Sequence, residues 1–246
     1  MTLRAVNLMK NYRGRTVVNG VSLEVAEGEI VGLLGPNGAG ETTTFQMFLG
    51  MVKADRGQVW LGDRQVTSLP MHQRARLSIG YLAQECSLFR KMTVEENVRA
   101  LLEFAAMRRD ERKTRAEEVL EEFHIAHIRH QKAYQLSGGE ARRGEVARAL
   151  ALDPRFLLLD EPFLGVDPIT VADFQDIIVR LRERGIGILI TDHNVHDTLR
   201  IVDRAYIMNE GDILVSGSAE EVANSPIARK YYLGDRFTYA NPGGKM

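Results

Sequence analysis

A glycine-rich stretch, Gly35-Pro36-Asn37-Gly38-Ala39-Gly40-Glu41-Thr42-Thr43, has the composition of a loop that binds phosphate. Glycines let the backbone wrap closely around an anion, so that successive N–H groups point inward, and a helix that follows adds the positive end of its dipole. The usual pattern is G-x-x-x-x-G-K-[ST], and only the lysine is missing, because Glu41 takes its place. Alone, such a stretch is also compatible with a tight turn between a strand and a helix.

Other polar side chains follow apolar segments and favour phosphate chemistry. Asp160 and Glu161 end the run Phe156 to Leu159. An aspartate there offers the oxygen ligand that Mg²⁺ prefers, and the glutamate could take a proton from water. A third apolar segment ends in Thr191-Asp192-His193, a polar group that could contact a γ-phosphate. Gln84 follows a fourth apolar segment.

A second glycine-rich segment, Leu136-Ser137-Gly138-Gly139-Glu140, precedes a predicted helix. Its serine, its two glycines and the helix start could hold another phosphate group, for the same reasons as the first loop. The chain thus contains two candidate phosphate-binding segments with a pair of carboxylates after them.

The elements that must position these residues follow an α/β pattern. Short apolar runs bounded by Gly, Asp or Pro predict buried strands of a mostly parallel central sheet. Five such runs cover residues 30–34, 79–82, 156–159, 186–191 and 205–208. Between two of them, Val171, Phe174 and Ile178 recur at helical spacing, and Asp167-Pro168 supplies a capping residue and a first-turn proline.

Two regions depart from this pattern. Residues 2–31 and 57–66 predict short strands that form a small antiparallel layer, and residues 93–150 predict a helical insert without a strand. We therefore expect one domain over residues 1–235, with a helical subdomain at about 86–150 inserted in the nucleotide-binding core. Residues 236–246 are predicted to be a C-terminal tail that frays at Ala240 to Met246.

Composition restricts the function classes. With 246 residues, 26% charged residues and a net charge of −1, the chain has no excess of positive charge for nucleic acid, and we expect no such partner. The single cysteine, Cys86, cannot form an intramolecular disulfide, which favours a reducing cytoplasm. No apolar stretch reaches the length of a membrane span, and the first residues do not resemble a secretory signal.

These motifs resemble those of the ATP-binding cassette (ABC) family, the ATPase subunits of ABC transporters, over about residues 2–235. Leu136 to Glu140, between the first loop and the Asp160-Glu161 pair, is the most specific of them. The resemblance implies a P-loop NTPase fold that binds ATP with Mg²⁺. It further implies a homodimer in which each ATP lies between the loop of one subunit and the Leu136 to Glu140 motif of the other.

The resemblance also assigns roles to single residues. Tyr12 corresponds to the aromatic residue that stacks on adenine, and Asn37 to Thr43 correspond to the phosphate loop. Metal contacts fall on Thr42, Gln84 and Asp160; the catalytic residues are Glu161 as general base, with His193 and Gln84. Ser137, Gly138, Gly139 and Asp167 would contact the nucleotide.

A narrower resemblance, to ATPases of lipopolysaccharide-export transporters, is carried by Thr191 to Val195, Glu122 to Ile125 and Tyr232 to Gly234. It implies a protein on the cytoplasmic face of the inner membrane, docked near Phe89 and Arg90 on integral membrane subunits. ATPases for branched-chain amino-acid import are similar enough to remain an alternative.

Glu41 is the main departure from the family pattern. Where a lysine would attract the β- and γ-phosphates, a carboxylate repels them. One pair of unit charges about 4 Å apart contributes on the order of 1 to 4 kcal/mol, and reversing the sign roughly doubles the difference. We therefore expect impaired nucleotide binding and activity, and a non-hydrolysing assembly subunit is a second interpretation.

Overall fold

The computed structural model describes residues 1–105 and 107–239, so the fraying predicted for residues 240–246 lies outside the described residues. Within them, ten strands form two sheets. The strands are β1 (Thr2–Tyr12), β2 (Arg15–Ala26), β3 (Ile30–Leu34), β4 (Arg56–Leu61), β5 (Arg64–Gln65), β6 (Ile79–Leu82), β7 (Phe156–Asp160), β8 (Gly187–Thr191), β9 (Arg204–Asn209) and β10 (Asp212–Ser218).

The larger sheet has six strands in the order β10-β9-β3-β8-β7-β6. All neighbouring pairs are parallel except β10 with β9, which confirms the predicted, mostly parallel central sheet. Every residue of β3, β7 and β8 is buried, as expected for strands covered on both faces. The polar residues predicted to do chemistry therefore follow strands whose carboxyl ends share one edge.

The smaller sheet is antiparallel, in the order β2-β1-β4-β5, and confirms the predicted second layer. The prediction of short strands is wrong for β1 and β2, which have 11 and 12 residues. The alternation of buried Val21, Leu23 and Val25 with exposed residues keeps β2 paired along its length, because one face packs on a core and the other meets water.

The described residues contain nine α-helical segments, and three further turns have 3-10 or π geometry. The helices are α1 (Glu41–Leu49), α2 (Met71–Ala75), α3 (Val94–Leu102), α4 (Arg109–Glu122), α5 (Gly138–Leu150), α6 (Pro168–Glu183), α7 (Val195–Leu199), α8 (Ala219–Asn224) and α9 (Pro226–Ala228). The turns are the 3-10 segments Ala126–Ile128 and Ala133–Gln135 and the π-helical turn Arg229–Leu233.

Helix α1 packs in a core shared by the two sheets. Phe45 and Phe48 of α1 belong to one cluster with Leu8 of β1, Leu33 of β3 and Leu158 of β7. Because side chains pack closely on both sides of α1, this helix is a rigid support for the glycine-rich segment that precedes it.

Helices α3, α4 and α5 form the predicted helical insert, in which no described residue between β6 and β7 belongs to a strand. Val98, Val119 and Val146 join the three helices in one buried cluster. Across the described parts of the chain, no helix combines the length and apolar character needed to cross a bilayer.

The C-terminal segment is folded beyond the predicted domain boundary at residue 235. Phe237 is buried, and its ring stacks on His196 of α7 with 4.3 Å between the ring centroids. The end of the described chain therefore packs on the helix that follows the Thr191-Asp192-His193 segment.

Candidate functional site

The glycine-rich segment is the turn between β3 and α1, which confirms the strand-to-helix context predicted for a phosphate loop. Gly40 has φ +107°, and a Cβ there would lie 2.4 Å from the Val17 carbonyl oxygen. A Cβ on Gly35 would lie 2.6 Å from the Met208 carbonyl oxygen. Both positions require glycine, because the loop passes this close to neighbouring backbone.

The tip of the loop is open to solvent. Asn37 and Gly38 are exposed, while the Ala39 N–H donates to the Pro36 carbonyl at 2.9 Å and closes the turn behind them. Thr42 and Thr43, in the first turn of α1, are exposed and half-buried. The loop therefore presents backbone and hydroxyl groups on one accessible surface.

Three predicted catalytic side chains meet at one carboxylate. Gln84 Nε2 donates to Glu161 Oε2 at 2.9 Å, and His193 Nε2 lies 3.1 Å from Glu161 Oε1. The Glu161 side chain is only 14% exposed, whereas that of His193 is 41% exposed. Both oxygens of Glu161 are thus engaged by groups that come from the ends of two other strands, β6 and β8.

The backbone of Glu161 is in the left-handed region, with φ +43°. A residue with a side chain adopts this conformation at a cost of about 1 to 3 kcal/mol, so the surroundings must impose it. The Glu161 N–H donates to the Thr191 carbonyl at 2.7 Å, which turns the chain sharply after β7. This turn aims the carboxylate at Gln84 and His193 instead of into the sheet.

The carboxylate of Asp160 is held from two sides. The Thr191 hydroxyl donates to Oδ1 at 3.1 Å, and the Tyr81 hydroxyl donates to Oδ2 at 3.3 Å. Burial, followed by the charge of Asp160, raises the pKa of Tyr81 to about 12, so its hydroxyl stays a donor. Sequence reasoning named Thr191 for a possible phosphate contact and missed the Tyr81 hydroxyl, although Tyr81 lies on the predicted strand that leads to Gln84.

Asp192 ties the turn that follows Glu161 to the turn that contains His193. Its carboxylate is buried and accepts hydrogen bonds from the backbone N–H groups of Phe163, at 2.8 Å, and Asn194, at 2.7 Å. Burial is the main cause that raises the pKa of Asp192. The sequence predicts Asp192, together with Thr191 and His193, as part of a group that contacts phosphate, whereas its carboxylate bonds to backbone N–H groups.

Glu41 is a buried carboxyl group inside the phosphate loop. It is 6% exposed, and its Oε2 has no hydrogen-bond partner among the described residues. Burial raises the pKa of Glu41; its own N–H, His193 and the Gly40 N–H oppose the rise, and Glu161 adds to it. The side chain thus lies within electrostatic range of the predicted base and faces backbone groups that would bind phosphate.

The C-terminal segment contributes one more group near this carboxyl. The Tyr232 hydroxyl is buried and has no hydrogen-bond partner in the part of the chain that the structure describes. Burial raises the pKa of Tyr232, and the charges of Glu41 and Asp192 raise it further. The local sequence contains no signal that would join residue 232 to the phosphate loop.

The remaining predicted nucleotide contacts lie on exposed surfaces. Ser137 caps α5 by accepting from the Glu140 N–H, and Gly138 has open space around it. Asp167 caps α6, and the hydrogen bond from the Thr170 hydroxyl is the main cause that lowers its pKa. These helix starts are accessible to a second molecule.

Tyr12 lies at the end of β1, beside the turn to β2, and is 45% exposed. The ammonium group of Lys10 lies 5.2 Å from its ring centroid. Val17, on the strand after this turn, contacts Gly40 closely, so the hairpin borders the phosphate loop.

An apolar groove of about 680 Å³ runs beside Gln84, between the nucleotide-binding core and the helical insert. We call it the apolar groove and define it by six of its lining residues: Met71, Ala75, Phe89, Met92, Ala100 and Leu101. Phe89, one of the two predicted docking residues, lines this groove and is 57% exposed, and Arg90, the next residue, is exposed.

The phosphate loop follows a central strand of a parallel sheet, and the carboxylates of Asp160 and Glu161 lie at the carboxyl end of another strand of that sheet. This combination defines a P-loop ATPase. The sequence profile of the ABC transporter family matches residues 18–164. The chain belongs to this family, whose members bind ATP with Mg²⁺ and hydrolyse it to drive transport.

Two relatives illustrate the similarity. The chain is 55% identical to the lipopolysaccharide export system ATP-binding protein LptB of Acidithiobacillus ferridurans, over 96% of this chain and 98% of that protein. It is 52% identical to LptB of Escherichia coli strain K12, with the same coverage.

Solved structures agree with the fold. An ATP-binding cassette of an ABC transporter in its ADP conformation has a TM-score of 0.85 and 28% identity, over 96% of this chain and 100% of that chain. A dimeric cassette in a post-hydrolysis state with ADP and Pi has a TM-score of 0.76 and 26% identity, over 88% and 98% of the two chains.

Proposed function

We propose that this chain is the ATPase subunit of a transporter that exports lipopolysaccharide, bound peripherally on the cytoplasmic face of the inner membrane. The observation that carries the proposal is the match, at 55% identity and over nearly the whole of both chains, to a relative named for that system. The geometry around Glu161 supplies the ATPase chemistry that such a subunit requires.

Glu161 is the general base. Its carboxylate is fixed by Gln84 and by His193, so it can accept the proton of a water that attacks the γ-phosphate. His193 is more exposed than Glu161, so its ring is accessible to a bound phosphate. Because the two neighbours come from different strands, a shift of either strand end would move the base.

The residues on the metal side fit Mg²⁺. Thr42 and Gln84 are exposed, and Asp160 has both carboxylate oxygens oriented by hydroxyl groups. Mg²⁺ is commonly held by one or two protein oxygens together with phosphate oxygens and water, and Thr42, Gln84 and Asp160 would hold it here. When bound, the ion supplies positive charge to the β- and γ-phosphates.

Glu41 opposes nucleotide binding in this chain. Its carboxyl group is buried where the family has a lysine, and it faces the Gly40 and Glu41 N–H groups that the phosphates need. This observation favours a second candidate function, a non-hydrolysing assembly subunit that docks on the transporter. The two functions differ only in whether ATP still binds productively.

The partner surfaces follow from the exposed segments. In a homodimer, Ser137, Gly138 and Gly139 of one subunit, with its Asp167, would cover the phosphate loop of the other, while Tyr12 stacks on adenine. Phe89 and Ala83, the residue before Gln84, line the apolar groove, and Arg90 follows Phe89, so we place the membrane subunits there.

Steady-state ATP hydrolysis by the parent chain and by the Glu41→Lys variant, with and without Mg²⁺, tests the proposal. We expect the variant to hydrolyse ATP faster and the Glu41→Lys/Glu161→Gln double variant to be nearly inactive. Reconstitution of the Glu41→Lys protein with the membrane subunits of a lipopolysaccharide exporter then tests the substrate. Binding of the parent chain to these membrane subunits without any ATP hydrolysis would favour the assembly subunit.

A further inference from the structure

Arg74, in α2, is a buried cation whose hydrogen-bond partners are all backbone oxygens. It is 2% exposed, and no carboxylate among the described residues pairs with it. Its guanidinium donates to the carbonyl oxygens of Leu69 and Thr67, at 2.8 and 2.9 Å. The same group donates to the carbonyl oxygens of Met47 and Phe48, at 2.7 and 2.5 Å.

The Met47 and Phe48 carbonyls belong to the last turn of α1. Helix ends leave these oxygens without intrahelical partners and carry partial negative charge. Helix α1 has no basic residue of its own in that turn. The Met47 carbonyl also accepts from the Gly50 N–H at 3.2 Å. Arg74 therefore adds, from another helix, positive charge and further hydrogen bonds at this end of α1.

Gly50, the residue that ends α1, is shaped around this contact. It has φ +76°, and a Cβ there would lie 2.6 Å from the Leu69 carbonyl oxygen, 2.8 Å from Arg74 Nε and 3.0 Å from Arg74 Cζ. The Leu69 carbonyl and the guanidinium that bonds to it thus occupy the space that any side chain on residue 50 would need, so residue 50 must be glycine.

The other end of α1 is the phosphate loop. Helix α1 has nine residues, so its two ends are about 13 Å apart, and Phe45 and Phe48 fix it in a closely packed core. Because a packed helix moves as a unit, a displacement at its carboxyl end is felt by Gly40 and Glu41 at its start.

Arg74 also lines the apolar groove, together with Met71 and Ala75 of α2 and with Leu49, the last residue of α1. One wall of the groove is therefore made of the end of α1 and the helix that is tied to it by Arg74. An apolar segment that fills the groove would therefore contact both the end of α1 and α2.

We propose that Arg74 is a positioning residue that couples occupation of the apolar groove to the geometry of the phosphate loop, through α1. This inference rests on the proposed function, in which a membrane subunit fills the groove and ATP fills the loop. This path runs along α1 and reaches the loop from the helix side, whereas Gln84 contacts Glu161 directly. Arg74 itself contacts neither ligand.

The groove can be filled covalently to test this coupling without a partner. In the full chain with Cys86→Ser and Ala100→Cys, pyrene maleimide attached at residue 100 places an apolar group in the groove. Hydrogen exchange of the amides of residues 38–44 is measured before and after labelling, in the Arg74 protein and in its Arg74→Lys variant. Lysine keeps the charge but lacks the planar fork that spans the two groups of carbonyls.

We expect labelling to slow exchange in the phosphate loop about fivefold in the Arg74 protein, at the low end of coupling between sites. In Arg74→Lys the ratio of labelled to unlabelled rates should be close to one. The matched control Arg76→Lys changes an exposed arginine directly after α2 and should respond as the parent does. A merely structural role would change exchange rates equally with and without the label.

An unchanged loop in the labelled Arg74 protein would overturn the proposal, as would an Arg74→Lys variant that responds like the parent. If Arg74→Lys does not fold, Arg74→Met keeps an unbranched side chain that fills the space and removes every donor to the α1 carbonyls, and the same ratio is measured. The readout uses neither ATP nor membrane subunits. Failure of the proposed function would instead appear in the hydrolysis and reconstitution assays.

Discussion

His193 Nε2 lies 3.1 Å from Oε1 of Glu161, although the two side chains come from segments about thirty residues apart in the chain. The contact exists because β7 and β8 are parallel neighbours and both residues follow the carboxyl ends of these strands. The opposite oxygen of Glu161 is occupied by Gln84. Because both oxygens of Glu161 are engaged, a change that displaces this carboxylate should slow ATP hydrolysis without weakening ATP binding.

With lysine restored at position 41, Glu161→Gln should still bind ATP but lose at least about a hundredfold in turnover, because an amide cannot accept the proton of water. The amide keeps the shape of the carboxylate, so the surrounding fold should not change. ATP affinity and steady-state hydrolysis are measured on the same preparation, and a dimer trapped by ATP is expected in size-exclusion chromatography. Undiminished turnover would move the role of the base to another residue, with His193 the first to examine.

Glu41→Lys should raise ATP affinity by at least about tenfold, because it replaces a repulsive charge at the phosphates by an attractive one. Thr42, Asp160 and Glu161 are untouched by the change. Titration calorimetry with ATP and Mg²⁺ measures the affinity, and Glu41→Gln is the matched control that removes the negative charge without adding a positive one. Equal affinity in all three proteins would show that position 41 does not limit binding.

Much of the central sheet and the residues at its edge could be predicted from sequence. Strands such as β3 and β7 are short apolar runs that are buried on both faces, and their pattern is local. Polar residues directly after them, including Glu161 and His193, had to lie at one sheet edge once the strands were parallel. The same local logic located α6 through its Asp167-Pro168 start.

Features that depend on distant contacts could not be predicted in this way. The burial of Arg74 follows from carbonyls at the end of another helix, and the position of Tyr232 follows from the folding of the C-terminal segment over the core. Phe237 lies in a polar segment, so its composition predicts a tail, whereas stacking on His196 keeps it buried. The local sequence around Arg74, Tyr232 and Phe237 has no periodicity from which these contacts could be predicted.

Burial raises the pKa of Glu41 in the folded protein, so the folded state binds this proton more tightly than the unfolded state does. The resulting stability is fully present below the unfolded pKa and is lost as pH rises through the folded pKa. Relative to Glu41→Gln, the parent should therefore lose free energy of unfolding as the pH rises above 4.5.

Urea unfolding of the parent and of Glu41→Gln at several pH values between 4.5 and 8 measures this difference. Asp192, whose pKa is also raised by burial, is present in both proteins, so its contribution cancels in the comparison. If the free energies of unfolding of the two proteins changed in parallel with pH, the prediction that folding disfavours the ionised form of Glu41 would be wrong.

The final prediction concerns Phe89 and the membrane partner. Its side chain is 57% exposed at the edge of the apolar groove, with the Arg148 guanidinium 5.8 Å from the ring. The backbone of this segment is held independently, because Asn97 Oδ1 accepts from the Phe89 N–H at 2.7 Å and Asn97 Nδ2 donates to its carbonyl at 3.2 Å. Removal of the ring should therefore leave the fold intact.

Phe89→Ala should reduce co-purification with the membrane subunits, since truncation of an aromatic anchor at the centre of an interface costs about 2 kcal/mol or more, or about thirtyfold in affinity. Ile227→Ala, which removes an exposed apolar side chain on α9 that does not line the groove, is the control and should bind as the parent does. Thermal unfolding of the isolated variants separates docking from folding. Aggregation of Phe89→Ala in isolation would make the ring part of the core, and binding equal to that of the parent would place the docking surface elsewhere.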